Sequence, residues 1–185
     1  AAEVGNTKVL TQYDNIFTLA DTYSYRGEDE FIQTGSSSGS PVQRSLQDRL
    51  DDRVSVRSFG VTGETSQDAT AGLQRAINQL FLNDGITGEQ GRVVLHLEAG
   101  VYNIDSTIEI PPHTTLVGAG PEKTVIKQIT ANAIFKTTNS DELTPTFNTQ
   151  ATNINIEGMT LQTTQTSIGL QLDSCRDSHF ENIDV

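Results

Sequence analysis

The sequence predicts a mainly β chain: a parallel β-helix of stacked coils, about 24 residues each, closed at its start by an α-helix and preceded by a small helical segment. Three observations predict it. From Arg92 to Ile129, short β-branched segments follow one another across Gly, Pro and polar turns with no helix between them. Apolar positions in the last third recur at a fixed interval, because Ile156-Glu-Gly-Met159-Thr-Leu161 aligns with Phe180-Glu-Asn-Ile183-Asp-Val185 at a spacing of 24. An amphipathic stretch stands directly before the first strand, where an open coil stack needs a cover.

The elements follow in chain order. Val9, Tyr13, Ile16, Phe17 and Ala20 lie at helical spacing, so a helix is expected between Asn6 and Tyr25, with Thr11 as its cap. The run Gly35-Ser-Ser-Ser-Gly39 reads as a flexible connection and marks a boundary, so residues 1–39 form a first segment. Residues 40–53 read as a neck helix: Ser40 is the N-cap, Pro41 takes the first helical position, and Val42, Leu46 and Leu50 repeat every four residues. A stripe that short needs a partner surface, which is either its own chain or an interchain bundle. Leu73, Ala76, Ile77, Leu80 and Phe81 form the apolar face of the covering helix, expected from about 66 to 83 before the stop Asn83-Asp84-Gly85.

The strands are expected at Arg92–Leu97, Val101–Ile104, Thr107–Ile110, Thr115–Val117 and Thr124–Ile129. A further strand per coil is suggested by Ala133–Thr137 and Ser167–Leu172, 34 residues apart. The excess over one coil is assigned to the polar, proline-containing stretch from Thr138 to Asn148, a loop protruding from the stack.

Composition bounds the function. The net charge of −12 argues against a nucleic-acid partner, since phosphate neutralisation needs clustered Lys and Arg. The single cysteine, Cys175, excludes an internal disulfide framework and a multi-cysteine zinc site. The amino end has neither a basic nor an apolar signal region, and no stretch is long enough to span a membrane, so no signal peptide and no membrane partner are expected.

A resemblance adds to this reading. Val54-Ser-Val-Arg-Ser-Phe59-Gly60-Val-Thr-Gly63, then Asp68-Ala-Thr70, Leu73-Gln74, Ala76-Ile77, Leu97-Glu-Ala-Gly100-Val-Tyr102 and Thr115-Leu-Val-Gly118-Ala-Gly120 stand in the order and spacing of the opening segment of the pectate-lyase-like superfamily. That superfamily includes phage tailspikes and family 28 glycosidases, and the similarity covers roughly residues 54–185. The chain departs from the usual pattern in its turn Gly63-Glu-Thr-Ser-Gln67-Asp68, which lacks the longer acidic run with paired aspartates.

The resemblance implies a right-handed β-helix, with Gly60, Gly100, Gly118 and Gly120 as structural turn glycines. The linker and Ser45–Asp52 resemble the junction of a phage tail protein between a virion-binding head and its β-helix. That implies a virion component and homotrimer with Val42, Leu46 and Leu50 at the threefold interface. Residues 1–39 would contact a baseplate or tail protein, and the longer protein would bind host surface polysaccharide. An alternative stays open: part of a polysaccharide hydrolase or lyase.

For that chemistry two carboxylates must flank the scissile bond. Glu157 and Glu181, one coil apart, and Asp173 and Asp177 beside Arg176 are the weak catalytic candidates, against the plainer reading of solvated surface acids. His96, His113 and His179 have no metal-ligand spacing, and no cofactor or metal is expected. The resemblance implies many more coils than these, with the saccharide groove further along, so the active site of such an enzyme is expected mostly beyond residue 185.

Overall fold

The computed structural model describes residues 22–23, 34–37, 40–45, 50, 52–82, 93–138 and 151–185. The chain divides into two compact units, residues 1–52 and 53–185.

In the first unit, β1 (Thr22–Tyr23) pairs antiparallel with β2 (Arg44–Ser45). This corrects the expected neck helix at its start. Pro41, Val42 and Gln43 are not helical and the next two residues form a strand, so the chain is extended where the capping box would have begun a turn. Thr34 Oγ1 accepts from the Val42 backbone N–H at 3.2 Å, occupying a donor that a helix would have directed along its own axis. The end of the expected helix Asn6–Tyr25 is likewise strand at Thr22 and Tyr23, and the rest of it lies outside the described residues. Leu46 also lies outside them, while Val42 and Leu50 are exposed.

The second unit opens with β3 (Val54–Ser55) and a 3-10 turn at Val56–Phe59. Helix α1 spans Thr70–Ile77 and runs on into a π-helical turn at Asn78–Leu82. Its start is four residues later than the sequence suggested. Asp68 is held in a parallel bridge to Asn103, and its carboxylate accepts from the Thr70 N–H at 3.0 Å, so the chain turns helical only after it. Leu73, Ala76 and Ile77 are the buried face.

The strands that follow are β4 (Leu95–Leu97), β5 (Gly100–Ile104), β6 (Ile108–Ile110), β7 (Thr115–Gly118), β8 (Thr124–Gln128), β9 (Phe135–Thr137), β10 (Asn155–Thr163), β11 (Leu170–Gln171) and β12 (His179–Asp184). Every pairing among β3–β12 is parallel. One sheet of seven strands runs β3-β4-β7-β10-β8-β5 with β12 beside β10, and a second of three runs β11-β9-β6. The chain is mainly β with stacked parallel sheets. The long strand β10 joins what are two strands in the coil before it: Asn155–Glu157 pair with β7, and Thr160–Thr163 pair with β8.

Alternation along each strand sends one set of side chains inward. Leu95, Leu116 and Ile156 form one register-matched ladder, Tyr102, Ile126 and Leu161 a second, and Ile108 and Phe135 a third. All eight are at most 2% exposed and belong to the core. Burying each of the aliphatic members stabilises the fold by roughly 1.5–3 kcal/mol. The register interval is 24 from Gly100 to Thr124 and from Ile156 to Phe180, but 21 from Leu95 to Leu116 and 27 from Ile108 to Phe135, because the corner turns differ in length.

One expected alignment is off by a residue. Phe135 pairs with Leu170, an interval of 35 where 34 was expected. A one-residue slip exchanges the faces of a strand, and so Ile168, which the shorter interval would place opposite buried Ile134, is exposed.

Candidate functional site

The first carboxylate candidates do converge. Ser55, His96, Val117, Glu157 and Glu181 are register partners in turn on β3, β4, β7, β10 and β12. Their side chains share the face opposite the core ladder. Glu157 and Glu181 therefore sit on adjacent strands, about 4.8 Å apart along the stack.

They border a cleft of about 280 Å³ that is also lined by Gly118, Gly120, Gly158 and Asn182. Its floor depends on glycine. A Cβ on Gly118 would stand 2.2 Å from the Gly158 carbonyl oxygen, and Gly158 itself has φ 70°, a left-handed conformation that favours glycine. Gly120 N–H donates to that same Gly158 carbonyl at 2.8 Å. At the equivalent place in the next coil, Asn182 takes φ 55°. Gly60 and Gly120 also have positive φ, and Gly100 lies against the Gly63 carbonyl.

The electrostatics of the cleft are those of an open surface. His179 Nε2 lies 2.8 Å from Glu181 Oε2, both side chains being about two-thirds exposed. Glu181 is open to solvent, with the Glu157 carboxylate on the adjacent strand. His96, lower on the same row, has its pKa pushed below 6.5, first by burial and then by Arg53, against the opposing pull of Glu98 and Glu157.

Asp173 and Asp177 stand in the turns between β11 and β12. Asp177 Oδ2 is 3.5 Å from Arg176 Nη1, and Asp173 Oδ2 accepts from Gln171 Nε2 at 3.3 Å. Neither lines the cleft with the glutamates.

Sequence reasoning missed a corner. His113, Asn153 and Asp177 have φ of 66°, 55° and 50°, and they stack at one turn of three successive coils. His113 N–H donates to the Thr152 carbonyl at 2.9 Å and Asn153 N–H to the Arg176 carbonyl at 3.3 Å, while Asn153 Nδ2 lies 3.3 Å from His113 Nδ1. Asn and Asp tolerate this conformation better than other side chains do. The spacing of 24 between Asn153 and Asp177 was the signal available.

Among the described residues, no group of three or more His, Cys, Asp or Glu is placed to hold a metal ion, and no helix is long and apolar enough to cross a membrane.

The profile of the family described as rhamnogalacturonase A/epimerase, pectate lyase-like matches residues 53–185. No curated protein matches the chain. Among solved structures, the ORF18 protein of Geobacillus virus E2 is similar at 24% identity and TM-score 0.61, over 75% of this chain and 26% of its own. Tailspike protein 3 of bacteriophage CBA120 is similar at 18% identity and TM-score 0.60, over 97% of this chain and 28% of its own. The A-module of the mannuronan C-5 epimerase AlgE6 of Azotobacter vinelandii is similar at 20% identity and TM-score 0.51, over 70% of this chain and 36% of its own. The chain thus spans between a quarter and two-fifths of the length of these three structures.

Proposed function

The chain belongs to the rhamnogalacturonase A/epimerase, pectate-lyase-like family, and from that premise we propose that it is the anchor and first coils of a homotrimeric phage tailspike that binds host surface polysaccharide. In this reading the coils wind right-handed with about 24 residues each where no loop is inserted, as between β5 and β8 and between β10 and β12. Residues 1–39 attach to a baseplate or tail protein of the virion, residues 40–53 form the neck, and the exposed Val42 and Leu50 meet their copies at the threefold axis. The observation that carries the reading is the reach of the similarity. The phage tailspike aligns over 97% of this chain, including residues ahead of the family domain, whereas the epimerase module aligns over 70%.

A depolymerase is the second reading, favoured by the family's enzymes and by the registered pair Glu157 and Glu181. The two readings part on activity. Light scattering of the 185-residue chain is expected to give the mass of three chains, and incubation with a panel of bacterial capsules is expected to leave them intact. A monomer mass would sink the spike reading, and cleavage lost in Glu157→Gln or Glu181→Gln would replace it with the enzymatic one.

A further inference from the structure

We draw no further inference here: the strongest candidate, the side-chain cluster where the start of α1 meets the end of β5 and the carboxylates of Asp68 and Asp105 converge on the Thr70 hydroxyl at 2.7 and 3.2 Å, is an acidic pair at which no second observation among the described residues points to a ligand.

Discussion

The side-chain amide of Gln74 on α1 bonds both backbone groups of Glu109 on β6: Nε2 donates to the Glu109 carbonyl at 3.1 Å, and the Glu109 N–H donates to Oε1 at 2.8 Å. A side chain here takes the place of a neighbouring strand at the edge of the first coil. Gln74→Ala leaves both groups without these partners and is expected to cost about 1–3 kcal/mol. Urea denaturation measures that loss, and faster hydrogen exchange at the Glu109 amide identifies its source; exchange unchanged from wild type would contradict it.

At Gly118 a methyl group has no room, since the nearest atom is the backbone oxygen of Gly158. Gly118→Ala is expected to destabilise the fold by about 1–3 kcal/mol, the usual cost of overpacking against atoms that cannot rotate away. A melting temperature equal to that of wild type would show that β7 and β10 separate there without penalty.

Tyr102 is buried and donates its hydroxyl to the Glu98 carbonyl at 2.9 Å. Burial, and then the Glu98 charge, push its pKa up to about 12 from 10.0, with Arg57 pulling the other way. The folded state therefore holds this proton more tightly than the unfolded chain, so the stabilisation is complete below pH 10 and is lost as pH rises toward 12. Denaturant unfolding between pH 9 and pH 12 is expected to show a decline that Tyr102→Phe removes. A decline of the same size in both proteins would refute the assignment.

His96 works in the opposite sense. Its pKa is depressed, so the neutral ring is favoured in the fold; that stability is present above pH 6.5 and is lost as pH falls through the folded value. Its NMR titration midpoint is expected below 6.5. Arg53→Gln is expected to raise that midpoint, and Glu157→Gln to lower it, since each removes a charge acting on the ring. A midpoint at or above 6.5 would mean that the ring is better solvated than its place on β4 implies.

Much of the stack was legible because burial imposes a period. Leu95 and Leu97, Tyr102 and Ile104, and Ile108 and Ile110 alternate with less buried neighbours, and the pattern survives whatever surrounds it. The pairing of Ile156 with Phe180 could be read because both strands keep their apolar residues at matching positions. Leu170 could not be placed the same way, since Ser167–Leu172 offers apolar residues at 168, 170 and 172 alike, and only the pairing with Phe135 selects among them.

Around Val42 the local signals favoured a helix, yet pairing with Thr22–Tyr23 made Arg44 and Ser45 a strand. Short-range propensity is weak against a distant partner. Of the candidate site, Glu157 and Glu181 followed from the interval, whereas the left-handed turns at Gly158 and His113 depend on corner geometry, which hydropathy does not encode.

The cover over the first coil also bears on how copies of this chain can meet. Strands β4, β5 and β6 have their backbone groups on that side engaged by β3, by Gly63 and Ala69, and by Gln74. A parallel stack left bare at that side would template another, growing into filaments as open sheet edges do. Here that route is closed: the terminus is blunt, with a two-residue strand and a helix where a foreign strand would have to dock. A strand approaching β4, β5 or β6 from that side would have to displace bonds already made within the chain.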